Sequence, residues 1–417
     1  MNREMKHSGI AWIGDVPKQW RIVRTKNVFN VGKELVGEDS SHTQLLSLTT
    51  KGIKKVEIGS TSGKVPDSYD TYQIVHKDNL VFCLFDLDCS AVFSGVSPFE
   101  GMISPAYKVL SMQNGYYPQY YGYWFDYIFD GRKYKYLSKN IRYSLTYDEF
   151  ASLGIVAPSY AEQKAIADFL DKKCEEIDEL VALQEKIIEE LKSYKQSVIT
   201  ETVCKGLNPN APMKDSGVEW IGEIPEGWEV SRFKNIASVK ANLVSPEQYP
   251  DLPQVAPDNI EKDAGILLNY KKVKDANIIS DNHLFYKGQI VYSKIRPTLN
   301  KAIIAPFDGL CSADMYPIET TQHTKYMLYF ILSGIFTKQV QRIVNDRVKM
   351  PKINKEEIST ILAIIPPIPE QREIADYLDK KCSEIDQLIS IKQQKIVELK
   401  EYKKSLIYEY TTGKKEV

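Results

Sequence analysis

No stretch of this chain approaches the roughly 18 consecutive apolar residues that a membrane-spanning helix needs. Its first residues do not read as a secretory signal either, so the expected compartment is a reducing cytoplasm. Cysteine is scarce. The six residues Cys83, Cys89, Cys174, Cys204, Cys311 and Cys382 form no CxxC pair and no metal-ligand spacing with the five histidines. A disulfide framework and a structural metal are therefore not expected, and Cys174 and Cys382 read as small buried hydrophobes.

An excess of charge of one sign is also missing. The net charge of −1 does not advertise a nucleic-acid ligand, but phosphate binding needs a local basic surface rather than a basic total.

Catalytic signatures are missing as well. Gly59-Ser-Thr-Ser-Gly63-Lys64-Val65 is one residue short of a phosphate-binding loop and lacks the hydroxyl residue after its lysine. No GxGxxG, HExxH or GxSxG occurs. Pro366-Pro367 lacks the preceding amide and following aromatic with which an adenine methyltransferase grips its base. The Pro66-Asp67 and Pro257-Asp258 pairs have no downstream acidic-x-Lys partner for a nuclease. No catalytic residue, resident cofactor or metal is expected in this chain.

What is present is an ordinary globular composition, 43% hydrophobic and 26% charged over 417 residues, enough for two to four structural units. An internal repeat organises it. Residues 162–204 (EQKAIADFLDKKCEEIDELVALQEKIIEELKSYKQSVITETVC) and 370–412 (EQREIADYLDKKCSEIDQLISIKQQKIVELKEYKKSLIYEYTT) are identical at 23 of 43 positions, at an offset of 208. At the same offset MKHSGIAWIGDVPKQW (5–20) matches MKDSGVEWIGEIPEGW (213–228). The intervening residues 27–157 and 235–365 diverge. Two similar modules with different specificities on one frame are the natural reading. The boundaries expected are a first module over 1–158, a helix over 159–207, a second module over 208–366 and a helix over 367–417.

The repeated stretches lack internal proline and glycine and are rich in Glu, Lys, Leu, Ile and Gln, which predicts helices. Ser159 with Glu162 forms a capping box, and Pro369 suits a first turn. Ile177, Leu191 and Val198 fall at a positions of a heptad, with Leu180, Ile187 and Tyr194 at d. Ile385, Leu388, Leu399, Tyr402 and Leu406 take matching places in the second copy. Gln184 and Lys392 interrupt the stripe as polar register-setters. At about 1.5 Å per residue each helix spans roughly 65 Å.

The divergent segments read as α/β: short β-rich runs at 43–50, 80–85, 107–110, 289–292 and 302–304, then helical aromatic stretches at 120–128 and 326–335. Capping signals at Thr146/Glu149 and Asn354/Glu357 precede short apolar strands. The fold class expected is α+β: two α/β domains separated by two long antiparallel coiled-coil helices, with a pseudo-twofold repeat. The 5–20 block should dock where the second helix ends, bringing the termini together. Trp12, Trp20, Trp220 and Trp228 read as packing anchors.

The lead-ins APSYAEQ (157–163) and PPIPEQ (366–371), each running into IADxLDKKCxEID, together with two WIGxxPxxW blocks, resemble the specificity subunits of type I restriction-modification systems. The resemblance covers essentially the whole chain, although Ser159-Tyr160-Ala161 replaces the usual prolines of the first lead-in. It implies two target-recognition domains, each reading half of a bipartite, asymmetric sequence in double-stranded DNA. It also implies helices that set the spacer and dock two methyltransferase subunits. Those partners carry S-adenosylmethionine and methylate adenine, and translocating endonuclease subunits can join them. The specificity subunit itself performs no chemistry, and no membrane is involved.

Phosphate contacts call for Lys and Arg, and base readout for polar side chains at loop tips. In the first module the densest basic run is Arg132, Lys133, Lys135, Lys139 and Arg142, interleaved with tyrosines. The second module has Arg342, Arg347, Lys349 and Lys352, and adds Lys294, Arg296 and Lys301. The early loops at Thr50-Lys51 and Asp258-Asn259 are further candidates. Solvated surface charge is the competing reading of each residue. Two other functions stay open: a duplicated coiled-coil scaffold binding only proteins, and a nuclease outside the known patterns.

Overall fold

Residues 162–204 and 370–411 are helical throughout, as the absence of helix breakers requires: the two long helices run Tyr160–Lys205 and Ile368–Thr411. The computed structural model describes all residues except 1–2, 33, 59–65, 88–91, 131, 137–142 and 348. It divides into two compact units, one of residues 1–184 and 394–417, the other of residues 185–393. Each unit thus combines a head with part of both long helices.

In the first unit the hairpin Met5–His7/Asp15–Pro17 leads to a strand, Arg21–Arg24, that pairs antiparallel with Gly154–Ala157. Two four-stranded sheets follow. One orders Gly52–Val56, Leu45–Thr49, Gly101–Ile103 and Gln73–Val75, with Leu45 parallel to Met102. The other orders Phe29–Val31, Lys108–Met112, Leu80–Phe82 and Ser94–Val96, all antiparallel. The helix Pro118–Asp130 buries Tyr120, Tyr121, Trp124, Phe125 and Ile128 beneath the second sheet.

The second unit repeats this plan. Hairpin Met213–Asp215/Glu223–Pro225 precedes the pair Glu229–Arg232/Leu362–Ile365. A four-stranded antiparallel sheet orders Ala237–Val239, Met315–Thr320, Ile290–Ser293 and Ala302–Ile304. A five-stranded sheet carries the matching parallel pair, Gln254 beside Leu310. The aromatic stretch here splits into Thr324–Leu332 and Gly334–Val344, because the Ser333 hydroxyl caps a new helix by accepting from Phe336 N–H. The capping boxes at Ser159/Glu162, Thr146/Glu149 and Asn354/Glu357 are all formed.

The repeated Glu-Gln pairs fasten each head to its helix. Trp20 and Trp228 are buried, and each indole N–H donates to the repeated glutamate, Trp20 to Glu162 at 3.3 Å and Trp228 to Glu370 at 2.9 Å. The Gln163 carbonyl accepts from Tyr117 N–H while its amide donates to Pro158 O. Gln371 does the same with His323 N–H and Pro366 O. Tyr123 donates to Asp171 at 2.7 Å and Tyr329 to Asp379 at 2.8 Å. Buried polar groups of this kind cost stability unless paired, and here each one is.

The 5–20 block docks at the end of the second long helix. Gly413 packs against Pro17 and Trp20, Lys414 reaches Ile13 O at 3.4 Å, and Arg3 lies 3.9 Å from Glu416. The termini are adjacent.

Within each unit the two helical segments lie antiparallel. The Phe169 and Tyr410 rings pack at a tilt with centroids 4.4 Å apart and Asp178 pairs with Lys403 in the first unit; Lys195 pairs with Asp386 in the second. The heptad needs one correction. Leu180 and Tyr194 are 46% and 55% exposed, Leu388 and Tyr402 46% and 54%, and Ile187 is half-buried. The helices bury Ile177, Ile188, Lys195 and Ile199 instead, and Ile385 and Leu406, with Val181, Ile389, Ile396 and Lys403 half-buried beside them. Ile177, Gln184, Leu191 and Val198 are therefore d positions, and the next core layer lies four residues on, not three. Leu399 and the polar Gln184 and Lys392 are half-buried.

Candidate nucleic-acid interface

The basic residues of the second head gather on one rim because three separate loops are tied together there. The strand Ile290–Ser293 ends in a loop, 294–301, whose Ile295 bridges to Lys352. Arg296 N–H donates to Pro351 O at 2.8 Å and Ile353 N–H to Lys294 O at 3.0 Å, so residues 351–353 lie against it. The Lys301 ammonium donates to Pro257 O at 2.8 Å, which brings in the turn Pro257–Asn259. Asp258 is exposed on that turn, while Asn259 is spent on structure: its carbonyl accepts from Ala256 N–H and its amide donates to Asn269.

Several of these cations already have partners. Arg347 pairs with Glu357 and also donates to Lys352 O. Lys352 lies 3.2 Å from Asp314, and Lys294 sits over the Tyr316 ring at 5.1 Å. Lys294 also helps to hold the neighbouring His283 below the ordinary histidine range, although burial is the larger cause. Arg296 and Lys349 are exposed. Arg342 lies elsewhere, on the helix Gly334–Val344 and over Trp220 at 5.9 Å.

In the first head Thr50 and Lys51 are exposed on the tight turn between Leu45–Thr49 and Gly52–Val56. Arg132 is left-handed, φ 48°, and its N–H donates to Phe129 O at 2.9 Å near the end of the helix Pro118–Asp130. Lys133 lies over Tyr127 at 6.0 Å and Lys135 over Tyr143 at 5.2 Å. Both stand on the one-turn helix Lys133–Tyr136, anchored by the buried Tyr134. Lys139 and Arg142 lie outside the described residues.

Two features escaped the sequence reading. The acidic partners Asp314 and Glu357 discount the basic run: Asp314 comes from a separate loop, and Glu357, marked in the sequence only as a helix cap, also pairs with Arg347. Left-handed, non-glycine residues occupy the loop tips: Asp86 and Tyr143 in the first head, Arg296 and Met350 in the second. No composition signal reveals backbone conformation of this kind. Among the described residues no group of three or more His, Cys, Asp or Glu could hold a metal ion, and no helix is long and apolar enough to cross a membrane.

Each unit is an α+β head joined to antiparallel helical segments, with divergent loops at its tip. Residues 225–401 match the family described as the type I restriction modification DNA specificity domain. The chain is 34% identical over 247 residues to the EcoDI type I restriction enzyme specificity subunit of Escherichia coli, covering 56% of this chain and 55% of that one. It thus spans about half the length of that relative. A proposed type I specificity subunit of Methanocaldococcus jannaschii, MjaX, is 23% identical over 430 residues, covering 96% of this chain and 95% of that one. In fold, the chain is similar to a chain from a solved type I R-M system, with a TM-score of 0.70, 14% identity, and coverage of 95% and 99%. The HsdS subunit from Thermoanaerobacter tengcongensis follows at 0.52, 14%, 95% and 98%. Over part of its length the chain is similar to type I restriction enzyme specificity subunits.

Proposed function

We propose that this chain is the DNA-reading subunit of a type I restriction-modification complex, each head recognising one half of a bipartite, asymmetric target in duplex DNA. One observation carries the reading. The contacts that fasten head to helix recur in both heads, with the tryptophans and the helix residues 208 apart and the tyrosines 206, whereas the rims differ in the charge and size of what they present. Duplicated frames with divergent tips suit two different half-sites. The long helices would then fix the spacing between them.

The helices also offer a matched pair of apolar faces. Leu180, Leu183 and Tyr194 are exposed on the first, and Leu388, Ile391 and Tyr402, each 208 residues later, on the second. Exposed apolar patches that recur mark contact surfaces, and recurrence at the repeat offset fits two copies of one partner. In this reading the partners are two methyltransferase subunits. They would bind S-adenosylmethionine and supply the chemistry, while this chain supplies recognition alone. Endonuclease subunits would join through the same assembly.

Methylome sequencing of cells with and without the gene, a type I methyltransferase subunit from the same genome being expressed, tests the reading. Loss of adenine methylation at one split motif is expected. An unchanged methylome with active methyltransferase would move the assignment to a protein-binding scaffold.

A further inference from the structure

The tip of the second head is held in a conformation that ordinary residues avoid. Arg296 has φ 42° and ψ 53°, and Asn300, four residues on, has φ 46° and ψ 53°. L-residues other than Gly, Asn and Asp seldom adopt the left-handed region, so surrounding structure must impose it. The bracing is visible. Arg296 N–H donates to Pro351 O at 2.8 Å, its own carbonyl accepts from Leu299 N–H at 2.9 Å, and the Ser293 hydroxyl donates to Ile295 O at 3.1 Å. Pro297 is buried, and the buried Asn300 amide donates to the Thr337 hydroxyl at 3.1 Å. Met350, next to the Pro351 that accepts from Arg296, is also left-handed and 52% exposed.

The Arg296 side chain is exposed, and its guanidinium takes part in no ion pair or hydrogen bond recorded among the described residues. Its neighbours differ: Arg347, Lys352 and Lys301 are all engaged. The first head builds the same tip. Asp86 has φ 48°, its N–H donates to the Ser144 hydroxyl at 2.9 Å, and Leu145 N–H donates to Leu84 O at 2.7 Å, as Ile353 does to Lys294. One braced scaffold therefore carries an acid in one head and a guanidinium in the other.

From this geometry, and resting on the DNA-reading function above, we infer that Arg296 reads a guanine in the half-site of the second head. A phosphate contact requires only charge on a flexible arm, and Lys349 already provides one. A guanidinium projecting from a braced backbone position instead offers a planar fork whose two donors match guanine O6 and N7 in the major groove. The side chain at this tip sets which base is preferred there.

The test is selection of bound duplexes from a library randomised over the target length, using the full chain co-expressed with a type I methyltransferase subunit from the same genome. Wild type is compared with Arg296→Asn, which tolerates the left-handed backbone, and Arg296→Lys, with thermal midpoints confirming folding. Wild type should enrich a split motif with an invariant G·C pair in one half. In both variants discrimination at that one pair should fall about tenfold or more, with the other positions and the other half unchanged. Uniform loss of affinity with the motif intact, or a motif unchanged in every position, would overturn the assignment of Arg296. Absence of any motif with wild type would overturn the DNA-reading function beneath it.

Discussion

The ammonium of Lys195 lies 2.7 Å from the carboxylate of Asp386, and the pair recurs at an offset of 208, where Lys403 lies 2.7 Å from Asp178. Lys195 occupies a core position between the helical segments of its unit, with a side chain only 10% exposed, while Asp386 is 43% exposed. The partners are therefore not equivalent. Removing Asp386 strands a largely buried cation, whereas removing Lys195 leaves a carboxylate that water can reach.

Asp386→Ala is accordingly expected to destabilise the protein by about 1–3 kcal/mol, and Lys195→Met, which keeps the aliphatic stem in the core, by about 1 kcal/mol or less. Chemical denaturation of the two variants decides it. Equal losses, or a larger loss for Lys195→Met, would show that the pair acts as ordinary surface charge.

The end of the second long helix gives a sharper steric case. Gly413 has φ +73°, and a Cβ there would stand 2.4 Å from Pro17 Cδ and 2.9 Å from Trp20 Cη2. Gly413→Ala combines the left-handed backbone term, about 1–2 kcal/mol, with displacement of the hairpin that packs on the helix. Gly9 has φ +78° and nothing within 4 Å of the same position. Gly9→Ala carries the backbone term alone. The measured loss should be clearly larger at 413; matched losses would mean that the terminal segments do not pack as described.

A pH effect is expected in the first head. The His76 imidazole is hydrogen-bonded by Glu34 at 3.0 Å and Glu100 at 2.8 Å, and these two carboxylates, Glu34 foremost, hold it above the ordinary histidine range. A raised folded-state value means that the native state binds the proton more tightly. The stabilisation is then fully present below about 6.5, the unfolded value, and is lost as pH rises through the folded one. The side chains are more than half exposed, so the effect is small. An NMR titration of His76 should give a midpoint above 6.5, and His76→Gln should narrow the gap in thermal midpoint between pH 6 and pH 8. A midpoint at or below 6.5 would remove the basis for both.

These contacts show which parts of the architecture are legible in a sequence. The long helices, the capping boxes and the docking of residues 5–20 on the helix end follow from local or repeated signals, which a single chain displays. The parallel pairing of Leu45 with Met102, and of Gln254 with Leu310, joins segments more than fifty residues apart and leaves no local trace. The role of Glu162 and Gln163 is legible only as repetition: that one accepts from Trp20 and the other from Tyr117 depends on the fold. The rim is legible in part. Basic runs flag Lys352 and Arg347, but not the acids that pair with them. The left-handed backbone at Arg296 is set by the residues that brace it.

The heptad register carries the last prediction. Leu180, Ile187 and Tyr194 form an apolar row as convincing by composition as the true core row, and only packing separates them. Ile188 is 6% exposed, whereas Leu180 and Tyr194 are about half exposed. Ile188→Ala should cost about 2–4 kcal/mol, the range for truncating a buried aliphatic side chain. Leu180→Ala and Tyr194→Ala should each change stability by less than about 0.5 kcal/mol, as exposed positions do. If these exposed residues instead serve the partner, their variants should weaken co-purification of the methyltransferase subunit while leaving the unfolding midpoint of the isolated chain in place. A large stability loss at Leu180 or Tyr194 would restore the three-residue step and place the core row on the other face.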